Sequence, residues 1–104
     1  MEQIDIHKAK TLIDQGDITI IDIRDLESYQ EAHINKAQCV NDSNLEQFLT
    51  KADKDQILIC YCYHGFSSQP AAQFFEANGF KNVYSMEGGF EAWRITYSVQ
   101  SNHV

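Results

Sequence analysis

The chain alternates short apolar blocks with stretches in which apolar residues recur at helical spacing. Ile18-Thr19-Ile20-Ile21-Asp22 and Gln56-Ile57-Leu58-Ile59-Cys60-Tyr61 are nearly continuous β-branched and apolar runs, the pattern of strands covered on both faces in a parallel sheet. Ile4-Asp5-Ile6 reads as a short edge strand. Ala37 to Val40, entered from His33-Ile34, and Val83-Tyr84-Ser85 read as further short strands. Between them, His7 to Gln15 places Ala9, Leu12 and Ile13 on one helical face, with Gly16 as a stop. Asp25 to Ala32 is polar and helix-compatible. Ser43 or Asn44 can cap a helix through Lys51, with Leu45, Phe48 and Leu49 facing inward. Ser68 is expected to cap a helix that carries Pro70 in its first turn and ends at Asn78-Gly79. Phe90 to about Ile95 predicts a last short helix, docked on the sheet by Phe90 and Trp93.

Strands alternating with helices predict an α/β fold, a small parallel β-sheet flanked on both faces by helices. At 104 residues the chain holds one modest core. Residues 1–95 are expected to form the domain. Residues 96–104, polar and aperiodic, read as a C-terminal tail that frays.

Composition narrows the function classes. With 43% hydrophobic and 22% charged residues the chain is ordinary for a soluble globular protein. No apolar run approaches the roughly 20 residues of a membrane helix. The first residues, Met1 to Asp5, lack the basic and apolar regions of a secretory signal. A cytoplasmic location without membrane partners is therefore expected. The net charge of -7 argues against a nucleic-acid partner, yet permits a small anion held by local backbone dipoles. Three cysteines, an odd number, do not suggest a disulfide framework. Cys60-Tyr61-Cys62 is too tight for structural zinc, and no second ligand pair follows. No metal or organic cofactor is expected.

The candidate chemistry lies in Cys62-Tyr63-His64-Gly65-Phe66-Ser67-Ser68. Cys62 is the first residue past the longest buried run. Amides of the loop after it can curl toward its sulfur as an anion-binding nest, and the helix opening at Ser68 adds its positive end. Both favour thiolate, the reactive form. Gly65 supplies the backbone freedom a sharp loop needs. On these residues alone Cys62 is either a nucleophile or a small hydrophobe packed at a strand end.

This segment resembles the active-site loop of the rhodanese family, and three other stretches match that family in order. They are Asp22-Ile23-Arg24, Glu27-Ser28-Tyr29-Gln30-Glu31-Ala32-His33-Ile34, with Ala32 in a usual glycine position, and Gly88-Gly89-Phe90-Glu91-Ala92-Trp93. The resemblance spans residues 4 to 95. It implies sulfurtransferase activity through a Cys62 persulfide, formed from thiosulfate or another persulfide donor and discharged to cyanide or a thiol acceptor. Tyr63 to Ser67 would hold the persulfide charge through their amides, with hydroxyls of Ser67 and Ser68 adding hydrogen bonds. Phe66 stands where close relatives carry Asn, and Ser67 where many carry Arg, so weak thiosulfate binding is expected. A thioredoxin-like or sulfur-relay protein is the alternative partner, and a rhodanese-like binding module the alternative function. Phosphatases on the same fold need a longer loop and an Arg fork, and no Arg occurs between Cys62 and Ser68.

The other polar residues read as structural. His64, two residues from Cys62, is expected to be exposed and not its base. Cys60 and Cys39 are expected in the core. Arg24 is expected to pair with Glu27 or another carboxylate, Asp22 to accept from loop amides, and His33 to be a satisfied structural histidine.

Overall fold

The structure, a computed structural model, describes residues 1–102. Five parallel strands form one sheet in the order β1-β5-β4-β2-β3. In chain order the elements are β1 (Glu2–Ile4), α1 (Ile6–Gln15), β2 (Ile18–Asp22), α2 (Leu26–Glu31), β3 (Gln38–Cys39), α3 (Leu45–Lys51), β4 (Ile57–Tyr61), α4 (Ser68–Ala77), β5 (Val83–Met86) and α5 (Gly89–Arg94). The predicted fold class holds, and β4 lies at the centre between β5 and β2.

Alternation along the strands sends their side chains into two cores. Ile20, Ile59, Tyr61 and Met86 pack with Ala9 of α1 and with Phe90 and Trp93 of α5. Ile21, Leu58, Cys60 and Val83 pack with Phe48 of α3 and with Ala72 and Phe75 of α4. Both faces of β4 are thus covered, which is why its sequence is apolar without interruption.

Four local differences from the sequence reading have clear causes. The first strand ends at Ile4, because the Asp5 carboxylate accepts from the Lys8 amide at 2.8 Å and opens α1. Asn44 occupies the start of α3 without capping it: its side chain accepts from the Asn41 amide and donates to the Cys39 carbonyl, both at 2.8 Å. Cys39 is half-buried, since β3 is a two-residue edge strand with one side open.

The fourth difference is the polar segment after α5, which is docked. Tyr97 packs on Trp93 with ring centroids 4.7 Å apart, and its hydroxyl meets His7 Nδ1 at 2.7 Å. His33 and Gln100 exchange backbone hydrogen bonds at 2.9 and 2.8 Å, and the Asn102 amide donates to the Gln30 carbonyl at 2.9 Å. The expected fraying fails through residue 102; His103 and Val104 lie outside the described residues. No helix among the described residues is long and apolar enough to cross a membrane.

Deleting residues 96–104 is therefore expected to uncover Trp93 and cost about 1–2 kcal/mol, a fall of roughly 5–15 °C in Tm. Thermal melting checks this, and an unchanged Tm would restore the frayed tail.

Candidate active site

β4 ends at Tyr61, and the chain turns at Cys62 into a tight loop that closes on the first residue of α4. Cys62 is only 6% exposed. Its Sγ receives the Gly65 amide at 3.2 Å and the Ser68 amide at 3.3 Å, and Ser68 Oγ stands 3.4 Å away. Burial alone pushes the thiol pKa up. The Ser68 hydroxyl, the Ser68 amide and the Gly65 and His64 amides outweigh it, leaving the Cys62 thiol below its ordinary value.

A loop offers its amides inward only if its carbonyls are satisfied elsewhere. Here α5 takes them. The Phe90 amide donates to the Cys62 carbonyl at 2.8 Å, and the Glu91 amide to the Tyr63 carbonyl at 3.0 Å. So close an approach requires glycine. Gly89 has φ +59°, and a Cβ there would lie 2.6 Å from the carbonyl oxygens of Cys62 and Tyr63. From the other side Gly65, at φ +92°, would drive a Cβ to 2.9 Å from the Gly88 nitrogen. The backbone freedom expected of Gly65 and the positive φ of Gly88 and Gly89 therefore serve one contact.

A second set of contacts holds the loop from β2 and α2. Arg24 Nη2 meets Asp22 Oδ2 at 2.7 Å in a buried pair, and Asp22 Oδ1 accepts the Arg24 amide at 2.8 Å. The partner is Asp22 itself and not Glu27. Arg24 Nη2 also donates to the Ala32 carbonyl at 2.6 Å, and its guanidinium carbon lies 4.0 Å over the Phe90 ring and 5.4 Å from that of Tyr63. Such an Arg is spent on structure and does not reach for an anion. The Tyr63 hydroxyl hydrogen-bonds the Asp25 carboxylate and Ser28 Oγ. With the Ser28 amide, these contacts hold the Asp25 carboxyl down to about 2.

The remaining predicted residues divide sharply. His64 is exposed, and among the described residues its ring makes no hydrogen bond to Cys62. Phe66, 77% exposed, stands at the loop tip. Ser67 is exposed at the start of α4, and its side chain caps no amide. Ser68 corrects the prediction: it is the first helical residue, fully buried, and its hydroxyl faces Cys62 instead of capping the helix. Cys60 is fully buried, and burial foremost pushes its thiol pKa far up. His33 is satisfied through Nδ1 by the Tyr29 carbonyl at 2.7 Å. All three cysteines are free.

Two contributors escaped the sequence reading. Gln69 Nε2 donates to the Gly65 carbonyl at 2.9 Å, removing another loop oxygen from the sulfur's surroundings. Ser85, fully buried on β5, places its hydroxyl 2.7 Å from Ser68 Oγ. The one serine in the strand Val83–Met86, alternating with Tyr84 on the other face, was the available signal. Two larger surface depressions, of about 560 and 440 Å³, are not lined by Cys62 or by residues 63–68.

The comparisons with known proteins place this parallel sheet, with a cysteine just past its central strand ringed by amides, in a family. The chain belongs to the rhodanese family: residues 5–96 match the model of the rhodanese-like domain. A protein named thiosulfate sulfurtransferase GlpE from Pseudoalteromonas translucida (strain TAC 125) is 43% identical over 97 residues, 93% of this chain and 92% of its own length. Its namesake from Coxiella burnetii (strain RSA 331 / Henzerling II) is 45% identical over 93 residues, 89% of this chain and 87% of its own. Among solved structures, the BH2092 protein from Bacillus halodurans superposes with a TM-score of 0.84 at 29% identity, over 97% of this chain and 77% of that one.

Gly89→Ala tests the clamp. It is expected to destabilise the fold by about 2–4 kcal/mol, since backbone atoms, which have nowhere to go, must shift. It should also slow alkylation of Cys62 in whatever fraction remains folded. Denaturant unfolding and iodoacetamide kinetics read the two effects, and a wild-type result in both would remove α5 from the account.

Proposed function

We propose that the chain is a sulfurtransferase that moves a sulfane sulfur through a persulfide on Cys62, with thiosulfate as donor. The observation that carries this reading is the Cys62 sulfur buried under the Gly65 and Ser68 amides and the Ser68 hydroxyl. Such a cradle stabilises a thiolate without a cation or a general base, and it offers the same donors to a terminal persulfide sulfur. The activity named for the 43–45% identical relatives supports the same reaction class.

The reaction runs in two displacements. The Cys62 thiolate attacks the outer sulfur of thiosulfate, and a sulfur–sulfur bond forms as the one inside thiosulfate breaks. Sulfite leaves with the electron pair, and Cys62 carries a persulfide anion. Cyanide then attacks the outer sulfur and departs as thiocyanate, or a thiol acceptor takes that sulfur as its own persulfide. Either way the Cys62 thiolate is restored. His64 takes no proton in this scheme: the thiosulfate and cyanide steps move none, and a thiol acceptor attacks as its thiolate, having lost its proton to water.

Donor and acceptor follow from the rim. With Arg24 tied to Asp22 and Ser67 in place of a cation, thiosulfate is held by the amides and Ser68 alone, so its KM should be high. Phe66 at the loop tip and the partly exposed Tyr63 beside it favour a protein, thioredoxin-like or part of a sulfur relay, as the physiological acceptor. The reaction is assigned to the cytoplasm, where thiols stay reduced.

Intact-mass spectrometry after mixing with thiosulfate tests the assignment. The wild-type chain should gain one sulfur that cyanide removes, and Cys62→Ser should gain none. Gain from a cysteine desulfurase but none from thiosulfate would transfer the protein to the relay reading. A sulfur retained by Cys62→Ser would remove Cys62 from the chemistry.

A further inference from the structure

Behind Cys62, away from the loop, two hydroxyls sit where the rest of the strand and helix interface is apolar. Ser68 opens α4, and Ser85 lies on the α4-facing side of β5, next in the sheet to β4. Both are fully buried, with their oxygens 2.7 Å apart, and Ser68 Oγ is 3.4 Å from Cys62 Sγ. Burying a hydroxyl without a partner costs about 1–3 kcal/mol, so each must spend its proton inside this cluster. Among the described residues no buried side-chain N or O atom lacks a partner.

Three groups then share two hydroxyl protons. An ionised sulfur has no proton and only accepts, so the Ser68 hydroxyl donates to it, and the open lone pair on Ser68 Oγ accepts from Ser85. Alignment of the two dipoles toward the sulfur strengthens the bond that reaches it.

We infer that Ser85 is a positioning residue for the nucleophile: its buried hydroxyl donates to Ser68 Oγ, fixes the rotamer of Ser68, and commits the Ser68 proton to Cys62 Sγ. The inference rests on reading Cys62 as the nucleophile. It gives β5 a part in the chemistry that its apolar neighbours Val83 and Met86 do not have. Ser85 touches neither substrate nor sulfur and acts only through Ser68.

The titratable groups on the surrounding elements leave this role to the hydroxyls. Cys60 on β4 interacts with Cys62, but burial keeps its thiol protonated. Tyr63 and His64 stand exposed on the loop, and residues 68–75 of α4 carry no ionisable side chain. β5 carries Tyr84, which packs with the core on the other face, and α5 carries Glu91, paired with Arg94.

The pH profile of Cys62 alkylation by iodoacetamide, followed on the Cys62 peptide, tests the inference without any sulfur donor. Ser85→Ala should move the profile to higher pH and slow alkylation at neutral pH about three- to tenfold, the worth of roughly one weakened hydrogen bond. In a Ser68→Ala background, Ser85→Ala should add nothing further, because the path to sulfur is already cut. Ser85→Cys, similar in size and a weaker donor, should shift the profile less in the same direction, and it keeps the test readable should the alanine variant not fold. An unshifted profile in the folded variants, or a shift that adds fully in the Ser68→Ala background, would overturn the role. Failure of the persulfide reading would look different, with normal alkylation and no sulfur gained.

Discussion

Everything at this site depends on where two backbone carbonyls go. The oxygens of Cys62 and Tyr63 are taken by the Phe90 and Glu91 amides, at 2.8 and 3.0 Å. With those oxygens turned away, the loop can fold its amides over Sγ. The contact works only at van der Waals limits, which is why Gly65, Gly88 and Gly89 meet there with positive φ. Trp93 and Phe90 hold α5 on the sheet, and Tyr97 covers Trp93 in turn. Packing far from the sulfur therefore sets the direction of its hydrogen bonds.

The charge arrangement follows the same economy. A chain of net charge -7 has little positive field to offer an anion. Arg24, a buried cation near the loop, is bound to Asp22, Ala32 and the Phe90 face. Neutral donors do the remaining work, and in the reaction proposed above they would need no reorganisation as charge moves from thiolate to persulfide. At the rim of the cradle Phe66 projects into solvent.

How much of this the sequence disclosed varied with the range of the interaction. The uninterrupted apolar runs of β2 and β4 announced a two-sided parallel sheet, because strand periodicity is local. The position of Cys62 just past β4 and the sharp turn at Gly65 were legible for the same reason, while a role for Cys62 came only from the family resemblance. The first strand was misplaced by two residues because Asp5 serves as a helix cap, a choice that Ile4-Asp5-Ile6 does not reveal. Ser68 was read as a cap because serine before a helix usually is one. What draws its hydroxyl inward is Ser85, far along the chain, and no local pattern encodes that. The tail read as frayed because its polar residues lack periodicity, while its anchors, His33 and Trp93, lie on other elements.

Hydrogen-bond donors, and no cation, lower the Cys62 thiol pKa in a buried site. The direct measurement is an ultraviolet titration of thiolate absorbance, taken as the difference between the wild-type chain and Cys62→Ser. Because donors lower the folded-state pKa, the thiolate signal should reach its midpoint at a lower pH than that of an ordinary cysteine, and it should be lost as pH falls through the lowered value. A midpoint at or above that of an ordinary thiol would mean that burial wins over the amide cradle, and the account would be wrong at its root.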